Sequence, residues 1–378
     1  MARILPALFG VVLALLASSA MGLRVNVTIE TNMHVKSLFI GYQNKFGVMF
    51  KNTQERKKAM ETFSESVSFV ETQNAQGNKH FKLGINKFSH ITWEEFSDKY
   101  LMKDGNKFLD ASKIEADMAS NPKITYYTAR GMTPVFITQF SNPGRRLQTI
   151  SPFNTKLTPV LSVPSWVNWR RYATPIKDQG KCSSCYAFAG VGTYEVLISL
   201  KYNRFFSLSE QEIMDCSPYA NGCIGGNPAD VFLYASQNGL AESSQYPYIQ
   251  KVGICRKFSA DEKVFSSLKY RYLNPDIYTI LTAISEGPVV LIHTTNRNFK
   301  NYQSGVFDDP TCTADLNHSA VAIGYDLTAP VPYIYLKNGW GTDWGENGFY
   351  KLAIGPIMNG SKGTCKMLSH NYNSQPYF

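Results

Sequence analysis

A helix that is apolar on every face has to be buried on every face, and one stretch of this chain has that character. From Cys185 to Leu200 the side chains are small or apolar nearly all the way round, with Ala187, Phe188, Ala189, Val191, Val196, Leu197 and Ile198 among them. The pattern predicts a helix in the middle of a domain rather than on its surface. Ser184 precedes it as the expected N-cap. Cys185 then falls in the first turn, where unpaired N–H groups and the positive end of the dipole favour a thiolate over a thiol. A thiolate is a nucleophile.

The cysteine distribution narrows the choice of domain. All seven, at 182, 185, 216, 223, 255, 312 and 365, lie in the last two-thirds of the 378-residue chain. In an oxidising compartment an odd number implies three bridges and one thiol left over, or a bond between chains. The Cys182-x-x-Cys185 spacing also fits a redox pair or half of a zinc site, but no second close Cys or His pair follows it. No metal and no cofactor is expected. The N-terminus supports the oxidising compartment. Arg3 is followed by an apolar run from Ile4 to Ala17 and then by Ser18, Ser19 and Ala20. This is the layout of a secretory signal over residues 1–22, removed after Ala20 or Gly22, rather than of a membrane anchor.

Charge excludes one class of function. The net charge of +9 suggests nucleic acid, but from Ser162 onward 18 basic residues face 17 acidic ones, leaving 20 against 12 in the first 161. The excess belongs to the N-terminal part, so a basic groove reader is not expected.

Residues 34–102 read as a helical unit. Phe39, Tyr42, Phe46 and then Phe50 recur at three- and four-residue steps, and Glu55, Phe63, Val70 and Asn74 sit on a longer charged helix that Gly77-Asn78 ends. Phe81 to Ile85 alternates like a short strand, and Thr92 with Glu95 forms a capping-box pattern before a helix reaching Tyr100. With few aliphatic residues for its length, this unit is expected to dock on something. Residues 103–161 carry Asn121-Pro122, Thr133-Pro134 and Asn142-Pro143-Gly144 breaks and the dibasic Arg145-Arg146, and read as a linker. From residue 162 helical pieces come first, at Glu210–Glu212 and Ala229–Gln237. After Tyr270 strands are expected, at Val289–Ile292, Ser319–Tyr325, Tyr333–Leu336 and Gly348–Ile354. The order reads as α+β with two subdomains.

A thiolate nucleophile needs an imidazole about 3 Å away to hold the ion pair and to protonate the leaving amine. His293, His318 and His370 are the candidates in the C-terminal part. His318 stands immediately before the apolar strand from Ala320 to Tyr325, on a rigid element that can aim it; the other two lack that setting. Asn338 follows a strand and precedes the Gly339-Trp340-Gly341 loop. It is the candidate to orient the ring.

These residues together resemble the papain-like cysteine proteases of the cathepsin L-like kind, in precursor form, over about residues 39–372 with the linker excepted. The resemblance implies a papain-like fold with a helical and an antiparallel, β-barrel-like subdomain in residues 162–378, and an α-helical inhibitory pro-segment. It implies Cys185 as nucleophile, His318 as acid/base, Asn338 as orienter, and Gln179 as oxyanion donor with the Cys185 N–H. Trp340 would cover the His318–Asn338 pair. Cys182 would pair with Cys223, Cys216 with Cys255, and Cys312 with Cys365. Gly225-Gly226 would form the rail that pairs with an extended substrate, and Pro228, Ala229, Ile292, Leu316 and His370 the pocket for its second side chain. That pocket would favour an apolar residue, with His370 at its floor.

The chain departs from the family at Ala59, Ser66 and His90 in the pro-segment, and at Ser183, Tyr186 and Gly339 near the site; none removes a reacting group. His90 stands where an aspartate is usual, so His90→Asp is expected to move the onset of self-processing to lower pH. The implied partners are protein or peptide substrates, the chain's own pro-segment and cystatin-type inhibitors, for a monomer in the lysosome, vacuole or extracellular space, with no membrane after signal removal. A catalytically weak relative acting as a binding protein is the alternative, and would be expected to lack Cys185 or His318. Between Cys185 and Gly225 no insertion or His pair blocks the cleft, which favours an endopeptidase. Sequons lie at Asn26 and Asn359, and also at Asn317, where a glycan would block the site.

Overall fold

The computed structural model describes residues 35–77, 79–103, 124–127, 163–259, 262–264, 269–355, 362–369 and 372–378. The signal segment, Arg145-Arg146, Asn26, Asn359 and His370 lie outside the described residues. Two compact units emerge, one formed by residues up to Glu71 with Ser89–Ile91, the other by Thr72–Phe88 with Thr92–Phe378.

The first unit is an aromatic knot. Helix α1 (residues 35–46) and helix α2 (Thr53–Ala75), which belongs to this unit up to Glu71, face one another through Phe39, Tyr42 and Phe63. The Phe63 ring lies 5.3 Å from Phe39 and 4.7 Å from Tyr42. Ala59 and Ser66, the small residues at positions where the resemblance leads one to expect Arg and Asn, are buried on α2. His90 accepts or donates at 2.6 Å to the Tyr42 hydroxyl and meets the Phe50 ring edge-on.

The second unit contains strand β1 (Phe81–Leu83), α3 (Trp93–Tyr100), β2 (Ile124–Tyr127), β3 (Trp166–Asn168), α4 (Cys185–Tyr202), α5 (Glu210–Cys216) and α6 (Pro228–Asn238). It continues with β4 (Lys269–Leu273), α7 (Ile277–Glu286), β5 (Val289–His293), α8 (Arg297–Lys300) and β6 (Tyr302–Phe307). The last strands are β7 (His318–Asp326), β8 (Tyr333–Lys337), β9 (Phe349–Ala353) and β10 (Ser374–Tyr377). The strand order is β1-β6-β9-β8-β7-β5-β10-β4-β2, with β3 on β7. Pairing is antiparallel except between β6 and β9 and between β2 and β4. Every residue of β5 and all but the last of β7 is buried, which is why these strands read as continuous apolar runs without alternation.

Helix α4 is buried from Cys185 to Ser199, as its composition requires. Two glycines let it come close to its neighbours. A Cβ on Gly190 would lie 2.6 Å from Val231 and 3.0 Å from the Pro228 carbonyl of α6, and one on Gly192 would lie 3.1 Å from Val321 of β7. The caps follow the expected chemistry at α3, where Thr92 accepts from the Glu95 N–H, and at α5, where Ser209 accepts from the Glu212 N–H. Ser184 occupies the N-cap position of α4 but makes no capping bond; its hydroxyl is 2.8 Å from that of Tyr248 instead.

Two elements depart from the sequence expectation. The region after Tyr270 is not all strand: Asp276 caps α7, whose Ile277, Ile280, Leu281 and Ile284 form one buried helical stripe although three of the four are β-branched. The linker is not wholly without secondary structure, since Ile124–Tyr127 pairs in parallel with β4. The three disulfides are Cys182–Cys223, Cys216–Cys255 and Cys312–Cys365, and Cys185 is the free cysteine. Among the described residues no helix is long and apolar enough to cross a membrane.

The close approach of α4 and α6 sets a test. Alanine is intrinsically better than glycine in a helix by about 1 kcal/mol, yet overpacking costs about 1–3 kcal/mol. Gly190→Ala in a Cys185→Ser precursor, which cannot digest itself, should therefore lower the urea midpoint; a raised midpoint would show that α6 yields freely.

Candidate active site

The site is set on a buried cluster of charge. Glu195, on the face of α4 away from solvent, accepts from Lys177 Nζ at 2.7 Å and from the Leu208 N–H at 2.8 Å, and also binds the Thr174 hydroxyl. Lys337 Nζ donates to Thr174 at 2.7 Å and lies 3.9 Å from Glu195. Lys177 further binds Glu210 at 2.7 Å. The two ammonium groups outweigh desolvation and hold the Glu195 carboxyl below its usual range. Glu210 is pushed up, because burial and the Glu195 charge outweigh Lys177. The cluster joins α4, α5, the 174–179 loop and the end of β8. Gln179 lies two residues past Lys177, and Asn338 one past Lys337.

Gln179 is fully buried and its amide is oriented on both sides. Trp340 Nε1 donates to Gln179 Oε1 at 3.0 Å, so the amide nitrogen points the other way, donating to the Cys182 carbonyl at 2.7 Å and the Tyr100 carbonyl at 2.9 Å. His318 opens β7. Its Nε2–H donates to Asn338 Oδ1 at 2.9 Å, and the Gly339 N–H donates to the same oxygen. That bond leaves Nδ1 as the nitrogen with no protein partner, and it is buried. The Trp340 ring lies 4.5 Å from the His318 ring. Cys185 lies against Ser319, the residue after His318, at the junction of α4 and β7.

The electrostatics differ from the thiolate expected at a helix N-terminus. Burial pushes the Cys185 thiol up, outweighing Ser319 and the first-turn N–H groups, which favour the thiolate. Burial likewise drives the His318 imidazole well below its usual value, with Asn338 acting the other way. The neutral pair is favoured here by burial.

Residues 84–88 and 92–103 of the same unit pack beside these groups. Gly84 N–H donates to the Asn301 carbonyl at 2.8 Å and Asn86 Nδ2 to the Lys300 carbonyl at 2.8 Å, which accounts for the Gly84-x-Asn86-x-Phe88 pattern. Phe88 and Phe96 meet the Trp340 ring edge-on at 5.7 and 5.1 Å. Lys87 pairs with Asp178. Beyond α3 the chain continues past the site, with Met102 N–H donating to the Asn317 carbonyl at 2.9 Å and Lys103 N–H to the Ile224 carbonyl at 3.1 Å. Met102 is buried in one cluster with Ala229, Ile292 and Leu316, and Pro228 is buried at the start of α6 beside Ala229.

The backbone bond of this segment thus falls on Ile224, one residue before the expected rail. The Gly225 carbonyl accepts from Asn221, and Gly226 is glycine because a Cβ would stand 2.8 Å from the Tyr186 ring. Tyr100, Met102 and Ser319 carried no periodic or spacing signal that would have marked them. Asn317 Oδ1 accepts from the Thr295 N–H at 2.9 Å and hydroxyl at 3.0 Å, so the sequon side chain is used internally. Lys300, buried on α8, has its ammonium pushed down to about 7, chiefly by desolvation, while Glu94 and Glu95 of α3 oppose the shift.

Residues 163–374 match the papain family cysteine protease domain and residues 39–96 the cathepsin propeptide inhibitor domain. Papaya proteinase 4 of Carica papaya is 29% identical over 339 residues, 89% of this chain and 85% of the relative. The structure of recombinant stem bromelain precursor is 26% identical, with 91% of this chain and 98% of that chain covered and a TM-score of 0.70. The bromelain protease from Ananas comosus in complex with the E64 inhibitor is 31% identical over 57% of this chain and 100% of that chain, with a TM-score of 0.51.

The covered, neutral thiol makes a measurable difference between forms. Alkylation of Cys185 by iodoacetamide in the intact precursor should be slow at pH 5 and rise about tenfold per pH unit toward alkaline pH, because only the thiolate reacts. Removing residues 34–102 should bring fast alkylation at pH 5. Equal rates in the two forms, with Cys185→Ser as the blank, would show that the segment does not set the state of the thiol.

Proposed function

Because the chain belongs to the papain family of cysteine proteases, we propose that residues 34–102 hold a cysteine endopeptidase in zymogen form and that residues 162–378 become the active enzyme on their release. The observation that carries this reading is the Gln179 amide, which donates to the Tyr100 carbonyl while Met102 fills the apolar cluster beside it. A segment that presents a backbone carbonyl to a polarising donor and a side chain to a pocket occupies both places a substrate would need.

With the cover removed, water reaches the site, desolvation falls, and the thiolate–imidazolium state of Cys185 and His318 becomes accessible. The thiolate attacks the scissile carbonyl. The resulting oxyanion accepts from Gln179 Nε2 and the Cys185 N–H, donors in place before the charge develops. Collapse expels the amine, which takes the proton from His318 Nδ1 and leaves an acyl-thioester. His318 then removes a proton from water, the hydroxide displaces the thiolate, and the proton remains on the imidazole to restore the starting pair. Asn338 keeps the ring in the tautomer and orientation that both transfers use. Trp340 keeps water from the His318–Asn338 bond and turns the Gln179 amide.

Pro228, Ala229, Ile292 and Leu316 support an apolar second-position preference, since each buried CH₂ is worth roughly 0.8 kcal/mol. The disulfides support passage through the secretory pathway, ending in a lysosome, a vacuole or outside the cell.

The test uses the full precursor incubated over a pH series, with Cys185→Ser and His318→Ala beside it. The wild type should shorten to a form beginning near Ser162, cleave fluorogenic peptides with Leu or Phe better than Ala at the second position, and be stopped by E64. Both variants should lose turnover by at least about a thousandfold. Turnover that persisted in Cys185→Ser would end the proposal, and a preference for basic over aliphatic residues would remove the pocket assignment alone.

A further inference from the structure

His293 is a second buried imidazole that the proposed chemistry does not use. It closes β5, directly across the sheet from His318, its pairing partner on β7. The two rings stand 5.5 Å apart, nearly perpendicular. Both nitrogens of His293 are occupied. Nδ1 lies 2.7 Å from the Thr294 carbonyl, which can only accept, so Nδ1 carries the proton. Nε2 then presents a lone pair, and the Tyr350 hydroxyl of β9 donates to it at 2.6 Å. The bonds around the ring therefore specify an uncharged imidazole in one tautomer. Tyr350 itself is fully enclosed, and it lies in the field of the Cys185 thiol and of Tyr302.

The groups facing His293 are few. His318 faces it from β7, Tyr350 from β9, and α8 presents the Phe299 ring 5.3 Å away. Among the described residues no carboxylate acts on it, so nothing compensates a positive charge there. We propose that His293, held by Tyr350, is a positioning residue for the catalytic imidazole: its neutrality allows His318 to carry charge, and its protonation is what ends catalysis in acid. This rests on the acid/base role proposed above for His318.

The physics is reciprocal. A cation on His293 at 5.5 Å from the His318 ring would oppose the imidazolium by up to about a hundredfold in its equilibrium at an effective dielectric near 20. To accept a proton, Nε2 must also give up the Tyr350 O–H···N bond. Burial holds the His293 imidazole down at about 4, so the neutral ring persists through the mildly acidic range and fails below it. The sign is that of a basic group with a depressed pKa: the active form is present above that value and lost as pH falls through it.

The decisive variant is His293→Gln, whose amide can donate to the Thr294 carbonyl and accept from Tyr350 but cannot titrate. Profiles of kcat/KM against pH for processed wild type and variant, each scaled to its own maximum, are compared together with the rate of iodoacetamide alkylation. The acid limb of both should move down by about one pH unit in the variant. A limb that stays where it is, or a loss equal at every pH, overturns the proposal, since a merely structural role gives the latter. Should the variant not fold, histidine-selective NMR of the Cys185→Ser precursor keeps the question open to refutation. His293 should remain in the Nδ1–H neutral form down to about pH 4, and titration near the ordinary value of about 6.5 would overturn the assignment. Wild-type turnover surviving His318→Ala would instead overturn the acid/base reading, whatever the His293 profile does.

Discussion

One buried carboxylate holds the parts of this site in register. Glu195 sits on the helix that Cys185 begins, and its bonds to Lys177, Thr174 and Leu208, with Lys337 beside it, tie that helix to the loop carrying Gln179 and to the strand that ends one residue before Asn338. Taking charges out of water is costly, and an ion cluster of this kind is weak evidence for extra stability. Removing one member, however, leaves its partners charged and unpaired at a cost of about 3–5 kcal/mol. The cluster therefore acts less as glue than as a gauge, fixing the spacing of three chain segments that are far apart in sequence. The disulfide from Cys182 to Cys223 ties the loop just before Cys185 a second time.

Around that frame, the state of Cys185 and His318 is governed by burial. Cys185 and His318 share the junction of α4 and β7, and both are driven toward their neutral forms by desolvation. The helix N-terminus does favour the thiolate, but its effect is smaller than that of burial. On the proposed reading, activation needs no rearrangement of Gln179 or Asn338, whose hydrogen bonds are already made. It needs solvent at the sulfur and the ring.

Much of this was legible before any coordinates. The fully apolar run after Cys185 required a central helix, and the apolar stretch after His318 required a buried strand; the helix runs two residues past the expected Leu200, and the strand one residue past each expected end. The cysteine pairing came from family resemblance, because seven cysteines alone allow many pairings. What stayed hidden were features with no local signature. Asp276 to Glu286 is rich in β-branched residues and sits among strands, so its helical stripe was masked. Ser184 has the residue type of a cap, yet its hydroxyl is claimed by Tyr248, a partner 64 residues away. The Tyr100 carbonyl is backbone, which no side-chain pattern can announce. His293 offered no sequence setting that would aim it, because its partner, Tyr350, is 57 residues distant.

The bond from the Gln179 amide to the Tyr100 carbonyl carries an evolutionary corollary. The donor that would polarise a scissile carbonyl is the same one that holds the covering segment, so a change that sharpens one sharpens the other. A lineage selecting a faster enzyme by improving this donor would also tighten its own restraint. One relaxing the restraint at this contact would blunt the enzyme. Speed and latency can be tuned separately only through contacts the two states do not share, such as Phe88 and Phe96 on Trp340 or the Lys87–Asp178 pair.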